Sequence, residues 1–351
     1  MKQSRTKASK RVKSQVEARV DTKNSVSYGK TNRAQFQPLL LVLIPAYNEA
    51  TTIREVIREI RRRPPAGVKT KVLVVDDGST DKTAAISRRA GASVISHPYN
   101  LGVGVAMQTG LQAAINLKAD LAVNIDADGQ FRPQDINLLI KPLLSGRAEV
   151  VIGSRFANHR ITPPMPSVKY WGNKFLAGFL SWFLHQKISD ATCGFRAYSR
   201  EAILRLQLFG SHTYTQEMFL QLQKHHLRFV EMPVKVLTTK RPGGQSRVVN
   251  SLLKYVWQAG LILLRSFRDY HPFAFFGVPA LLLGVVGLVA GLFTLIHYLQ
   301  VGEITPYKSL GFIALFAWLG SLLMFVFALL SDMLDRLRTQ QEKIIYYLRQ
   351  Q

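Results

Sequence analysis

Two carboxylates one residue apart can share a hard divalent cation. The chain offers such a pair in the run Asp126-Ala127-Asp128-Gly129-Gln130, where Gln130 adds a neutral oxygen. Mg²⁺ and Mn²⁺ favour oxygen ligands and commonly complete their shell with substrate phosphates. Turns are rich in Asp, so Asp-x-Asp alone carries little information. Its companions give it weight: Pro45-Ala46-Tyr47-Asn48-Glu49, Asp76-Asp77-Gly78-Ser79-Thr80-Asp81 and Asn100-Leu101-Gly102-Val103-Gly104.

Asp76-Asp77 has two readings. One carboxylate can accept hydrogen bonds from a nucleobase or ribose, or the cluster can form a strand-end turn that caps the next helix. Asp76 pointing outward with Asp81 capping would satisfy both. The Gly-x-Gly after Asn100 has Ala106 and Met107 where a dinucleotide fingerprint needs its third glycine, and it follows a third strand rather than a first. A dehydrogenase is thereby disfavoured. The expectation is a tight turn that lets backbone approach a ligand at a helix start.

The elements that must position these groups alternate regularly. Unbroken apolar runs at residues 39–44 and 71–75 read as buried parallel strands, with further strands at 93–96, 121–125 and 149–152. Helices are expected at 50–63, stopped by Pro64 and Pro65, and at 104–117 and 133–144. This order predicts an α/β fold with an open, mostly parallel sheet and helices on both faces. Ligands in such sheets bind beyond the carboxyl ends of the strands, where all four clusters fall.

The formal net charge is +24. Much of the excess lies between Lys2 and Arg33, so residues 1–37 read as a basic disordered arm suited to anionic lipid. No aromatic-interleaved basic face suggests nucleic acid. The arm has no apolar core of a secretory signal. Residues 273–299 and 310–330 are nearly free of charge and long enough to span a bilayer. Arg265, Arg268, Arg336, Arg338 and Lys343 flank the pair, whereas the connecting loop holds one Lys and one Glu. Positive-inside asymmetry puts the catalytic domain in the cytosol as part of an integral membrane protein. Aromatic and basic residues mix at 167–186 and 248–270, where helices either pack on the sheet or lie in the membrane interface.

Taken in order, the four clusters resemble the GT-A fold of family 2 glycosyltransferases, over roughly residues 38–247. Within that family the chain looks most like the dolichyl- and polyprenyl-phosphate mannose and glucose synthases. Gly153-Ser154-Arg155, Asp190-Ala191-Thr192-Cys193-Gly194-Phe195-Arg196 and Arg241-Pro242-Gly243-Gly244-Gln245-Ser246-Arg247 support this. The resemblance implies that Pro45, Tyr47, Glu49, Asp76 and Asp126 line the nucleotide-sugar donor site. It implies that Asp126, Asp128 and Gln130 hold Mg²⁺ or Mn²⁺. Arg155 would face the acceptor phosphate, and Arg241, Ser246 and Arg247 would close over donor and acceptor phosphates. The catalytic candidates are Asp128, Arg155, Arg241 and Arg247, with Ser246 and Arg247 sharing the acceptor phosphate with Arg155. Where the family often has Lys, Arg247 keeps the charge but alters hydrogen-bond geometry.

The expected reaction is an inverting transfer of a hexose, from GDP-mannose or UDP-glucose, to a polyisoprenyl phosphate. An ionised acceptor phosphate needs no dedicated base, although Asp190 and Glu217 are carboxylates to weigh for that role; otherwise Asp190 orders the Arg196 loop and Glu217 supports the site. Processive polysaccharide synthases carry Gln-x-x-Arg-Trp, but the four Trp here follow Tyr, Ser, Val and Ala. An inactive membrane scaffold would be expected to lose the Asp-x-Asp or the basic loop, and both are intact. Cys193, the single cysteine, is expected to be a packing residue. The expected domain limits are 1–37, 38–247, an amphipathic juxtamembrane helix at 248–271, a transmembrane hairpin at 272–331 and a cytosolic tail at 332–351.

Overall fold

The structure is a computed structural model that describes residues 37–157, 167–208, 214–237, 264, 267–268 and 271–351. Arg241, Ser246, Arg247, the basic arm and nearly all of residues 248–270 therefore lie outside the described residues.

The strands are β1 (Leu39–Ala46), β2 (Lys69–Asp76), β3 (Ser93–Ser96), β4 (Leu121–Asn124), β5 (Val150–Ser154), β6 (Arg196–Ser199) and β7 (Phe229–Pro233). The helices are α1 (Ile53–Arg62), α2 (Thr83–Arg89), α3 (Val103–Asn116), α4 (Ile136–Leu144), α5 (Ser167–Leu184), α6 (Arg200–Arg205), α7 (Tyr214–Lys224), α8 (Pro272–Val301) and α9 (Lys308–Gln350). One sheet runs in the order β3-β2-β1-β4-β6-β5-β7. Its pairs are parallel except that β6 runs antiparallel to both β4 and β5. The chain leaves β1 toward β2 and β3, then returns to build β4 on the other side. That reversal opens a crevice beyond the ends of β1 and β4, the usual place for a ligand in an open sheet.

Burial on both faces explains the unbroken apolar runs. Leu41 and Leu43 pack on one side with Leu73, Met107, Leu180 and Phe219. Leu40, Val42 and Ile44 pack on the other with Ile57, Ile60, Leu139 and Ile140. Helix α1 follows the expected pattern, with Ile53, Val56, Ile57 and Ile60 buried on one stripe, Glu55 in the first turn and Arg61 and Arg62 in the last. The sequence reading placed no strand after residue 152. Strand β6 is only four residues long and lies within a polar motif, and β7 mixes apolar with polar residues, so neither carries the signal of a buried parallel strand.

Helices α8 and α9 are long and apolar enough to cross a membrane, and little of either apolar stretch is buried in the protein. They pack as an antiparallel hairpin through small residues, as helices do in lipid. A Cβ on Gly287 would lie 2.8 Å from Trp318 Cδ1 and 3.2 Å from the Ala314 carbonyl oxygen. Nearby, Ser321 Oγ donates to the Ala280 carbonyl at 2.7 Å. Helix α9 continues without a break past its apolar stretch to Gln350. Helix α5 packs on the sheet through one face and leaves aromatic residues exposed on another. Leu176, Ala177, Leu180 and Leu184 are buried in the core, while Trp171, Phe175 and Trp182 are 62%, 67% and 71% exposed. Its end meets the start of α8, where the Phe183 and His271 rings stand edge to face with centroids 5.3 Å apart.

Replacing Gly287 with leucine should wedge the hairpin apart. A disulfide cross-link between Ala280→Cys and Ser321→Cys should form readily in the parent and fall sharply in the Gly287→Leu background.

Candidate active site

The rim is stitched together by short polar loops. After β2, Asp77 N–H donates to the Ala46 carbonyl at 2.8 Å, tying this turn to the end of β1. The Asp77 carboxylate accepts from Leu101 N at 3.0 Å and Gly102 N at 2.8 Å, and lies 2.8 Å from His97 Nδ1. His97 Nε2 is in turn 3.0 Å from Thr109 Oγ1 on α3. These two N–H groups thus answer a carboxylate of the chain at the start of α3. Gly78 is required here: its φ is +69°, and a Cβ would come within 2.3 Å of the Tyr99 carbonyl carbon.

Asn48 locks the first two clusters together. With φ at +54°, it donates its N–H to Ser79 Oγ at 2.9 Å and accepts from Thr80 N at 2.8 Å. Glu49 N–H donates to Thr83 Oγ1 at 2.9 Å, and Asp81 accepts from Thr83 N at 2.8 Å at the start of α2. Partial burial pushes the Asp81 carboxyl up, but hydrogen bonds from Thr83 and Ala50 outweigh it and hold the group below its ordinary range. Asp81 therefore caps, as expected. Asp76 differs from the expectation: only 4% exposed, it is turned in rather than outward and accepts from Ser79 N at 3.3 Å. Pro45, Tyr47 and Glu49 are half-buried along the same rim.

The acidic pair follows β4. Asp126 is half-buried and Asp128 buried, and Gly129, at φ +72°, turns the chain so that Gln130 N–H donates to Asp128 Oδ1 at 3.0 Å. Leu237 N–H donates to the Gln130 carbonyl at 2.8 Å, and Phe131 bridges to Val236. The segment that leads toward Arg241 therefore passes directly beside the acidic pair.

Opposite Asp126 stands the loop entering β6. A Cβ on Gly194 would lie 3.4 Å from Asp126 Oδ1 and 3.1 Å from the Tyr214 hydroxyl oxygen. Asn124 supports both sides. Its amide donates to the Gly194 carbonyl and, at 3.1 Å, to the Tyr214 hydroxyl oxygen, while its Oδ1 accepts from Tyr198 OH at 2.9 Å. Burial pushes the Tyr214 phenol well above its ordinary value, with the nearby Tyr198 and Asp126 adding to the rise. None of Asn124, Tyr198 and Tyr214 stood out in the sequence, because each sits in an otherwise apolar or unremarkable stretch.

Arg155 leaves the end of β5 and is clamped by Asp190. Its Nε reaches Asp190 Oδ2 at 2.7 Å and its Nη2 reaches Asp190 Oδ1 at 2.8 Å and Thr192 Oγ1 at 2.7 Å. Asp190 is fully buried and also accepts from Arg155 N at 3.1 Å. Glu231 of β7 accepts from the Asp190 backbone N–H at 3.0 Å, and Asn173 of α5 from Ala191 N at 3.1 Å and Thr192 Oγ1 at 3.0 Å. Burial alone would lower the Arg155 pKa, but the Asp190 hydrogen bonds and charge, with Asp126 beyond, raise it. Asp190 thus orients Arg155 and, accepting from Thr192 N at 3.2 Å, also orders the loop that leads to Arg196. Arg196 is held separately, by the Cys193 carbonyl at 2.9 Å, the Thr215 carbonyl at 3.0 Å and the Phe219 ring at 4.9 Å. Glu217 is half-buried on α7.

The acidic loop fits a hard cation by its donor set, two carboxylates and an amide oxygen on a tight turn beside an arginine. Among the described residues no group of three or more His, Cys, Asp or Glu side chains gathers to enclose an ion. Such a two-carboxylate loop suits a cation that shares its shell with substrate phosphate.

The sheet, its switch point and the acidic rim define a GT-A type transferase. The fold aligns with a crystal structure of glucosyl-3-phosphoglycerate synthase from Mycobacterium tuberculosis, solved with Mn²⁺, UDP and glucosyl-3-phosphoglycerate. The TM-score is 0.51 at 23% identity, over 65% of this chain and 80% of that one, a likeness of fold. Residues 41–206 match Glycosyl transferase family 2. A UDP-N-acetylglucosamine–dolichyl-phosphate N-acetylglucosaminyltransferase of Methanococcus voltae is 33% identical over 223 residues, which cover 58% of this chain and 87% of the relative. A polyprenol monophosphomannose synthase of Mycolicibacterium smegmatis is 27% identical over 222 residues, 61% of this chain and 82% of the relative. The chain belongs to glycosyl transferase family 2 and is a glycosyltransferase.

Two outcomes test this geometry. Asp190→Ala should cost about 3–5 kcal/mol of stability in equilibrium denaturation, because it strands a mostly buried guanidinium. Burial, with Asp190 adding, pushes the Cys193 thiol up to about 12. Folded protein at pH 8 should therefore resist alkylation at Cys193 and react fully once denatured, as mass spectrometry will read.

Proposed function

We propose that this chain transfers one sugar from a nucleoside diphosphate sugar to a polyisoprenyl phosphate, with inversion, at the cytosolic face of a membrane. One observation carries the reading: Asp126 stands against Gly194 of the loop whose Asp190 clamps Arg155, on one rim of a GT-A domain whose chain continues into a membrane-length hairpin. The two named relatives act, by their names, on dolichyl phosphate and on a polyprenol, which supports the acceptor. They differ in sugar, so N-acetylglucosamine stands beside mannose and glucose as a candidate.

In this reading Tyr47 and Glu49, with Pro45 shaping the turn, receive the nucleoside, and the inward Asp76 holds the Ser79 turn behind them. Asp126, Asp128 and Gln130 hold Mg²⁺ or Mn²⁺, which when bound neutralises charge that builds on the departing diphosphate. Arg155 supplies positive charge at the acceptor phosphate. Its Nε and Nη2 are engaged by Asp190 and Thr192, and no hydrogen bond of Nη1 occurs among the described residues. A clamped guanidinium keeps a fixed orientation, so little reorganisation is needed when the phosphate arrives. Arg241, Ser246 and Arg247 follow the segment at Leu237 in the sequence and are proposed as the cover over the phosphates.

An acceptor phosphate is ionised near neutral pH and can attack without a proton acceptor. Both oxygens of Asp190 are taken by Arg155, which argues against that carboxylate as a base. Flanking positive charge supports the cytosolic orientation, and the exposed Trp171, Phe175 and Trp182 of α5, with Lys174 Nζ 5.0 Å from the Trp171 ring, support contact with the membrane interface.

The test is product formation from a panel of UDP- and GDP-sugars on a short polyprenyl phosphate. A lipid-linked monosaccharide should form with one donor class, and no product with any donor would overturn the reading. Asp128→Asn should keep the fold while lowering metal-dependent turnover by about a hundredfold or more, since it removes a ligand charge. Near-parental turnover in that variant would remove Asp128 from the site.

A further inference from the structure

The part of α9 beyond the membrane-length stretch is packed on the catalytic domain along one stripe. Asp335, Arg338, Glu342, Tyr346 and Arg349 recur at helical spacing, so they share a face. Glu342, only 8% exposed, takes Lys224 Nζ of α7 at 2.9 Å and Arg338 Nε at 3.2 Å. Tyr346 OH donates to Glu201 of α6 at 3.0 Å, with Arg205 4.6 Å from its ring. Arg349 Nη1 donates to the Leu204 and Leu206 carbonyls at 3.0 and 3.2 Å. Each contact joins the helix to α6 or α7, or orders the stripe itself.

Those two helices also build the rim. Helix α7 presents Tyr214 beside Asp126 at one end and Lys224 to α9 at the other, about 15 Å apart by helical rise. Helix α6 follows β6, which carries Arg196 and Tyr198. Between Ser321 and Gln350 the helix contains no Gly or Pro, so nothing in its sequence invites a hinge. About 30 Å of stiff helix therefore joins residue 331 to residue 350.

We propose that this stretch of α9 is a rigid strut that fixes the height and tilt of the catalytic rim over the bilayer, making Glu342, Tyr346 and Arg349 positioning residues for a membrane-embedded acceptor. The idea rests on the acceptor reading above. With the strut docked, the rim meets phosphates held in the membrane plane. With it released, the described contacts between the domain and the hairpin reduce to that of α5 with the start of α8 at His271, and the domain can tilt away, while a freely diffusing acceptor still reaches the same site.

The experiment compares the full-length protein in nanodiscs with Glu342→Lys, Tyr346→Ala and the charge-swapped pair Lys224→Glu with Glu342→Lys. Each is assayed on a long-chain prenyl phosphate in the bilayer and on a short, water-soluble one. The two single variants should lose about tenfold or more on the embedded acceptor, while turnover on the soluble acceptor and the donor KM stay within about twofold. The charge swap should recover most of the Glu342→Lys loss. Equal loss on both acceptors, or no loss on either, would overturn the proposal. A second readout does not depend on activity: lipid-borne quenchers near the headgroup should quench tryptophan fluorescence less in the single variants and regain the parental level in the charge swap. Unchanged quenching would equally sink the strut. An enzyme idle on both acceptors with strut-dependent quenching would remove the acceptor reading and leave the strut standing.

Discussion

The buried pair of Arg155 and Asp190 is the interaction on which the rim depends. It joins the end of β5 to the loop that enters β6, and Glu231 of β7 and Asn173 of α5 brace that loop from two further elements. The pair, with those braces and the Asn124 amide on the Gly194 carbonyl, holds residues 190–195 across the sheet end, where Gly194 stands against Asp126. A carboxylate with no exposed surface is costly unless its charge is met, and Arg155 meets it with two parallel hydrogen bonds. The same contact leaves the Arg155 side chain 22% exposed at the rim. One pair therefore supplies a structural clamp and a fixed positive charge.

The two halves of the sheet divide the work. In the parallel half, β1 to β4, the chain emerges at the rim and forms tight turns held by Asn48, Asp77 and Asp81. In the other half, β6 runs against its neighbours, so the chain arrives at the rim there and brings residues 190–195 to it. Asn124 sits where the halves meet, paired with Leu43 of β1 and Arg196 of β6, and its amide ties Gly194 to Tyr214.

The parallel half was legible in the sequence because each strand is buried on both faces and must be apolar throughout. Strand β3 coincides with its expected limits, and β1, β2 and β4 differ from theirs by one or two residues at an end. The Asp126-x-Asp128 loop and Asp81 also stand where expected. What escaped depends on contacts distant in sequence. Asp76 turns inward because Ser79 N–H offers it a partner. The Gly102 turn serves Asp77, 25 residues earlier. Asn124, Tyr198 and Tyr214 acquire meaning only when three elements bring their polar atoms together. The length of α9 escaped for a different reason: charged residues after Leu330 read as the end of a span, whereas helix propensity there continues without interruption.

The tight crossing at Gly287 bears on traffic across the bilayer. At that level the two helices touch, with a tryptophan edge and a backbone carbonyl where any side chain would stand, so no gap separates them there. A sugar headgroup cannot enter hydrocarbon without losing its hydrogen bonds to water. The crossing at Gly287 is therefore closed to a polar headgroup of any kind.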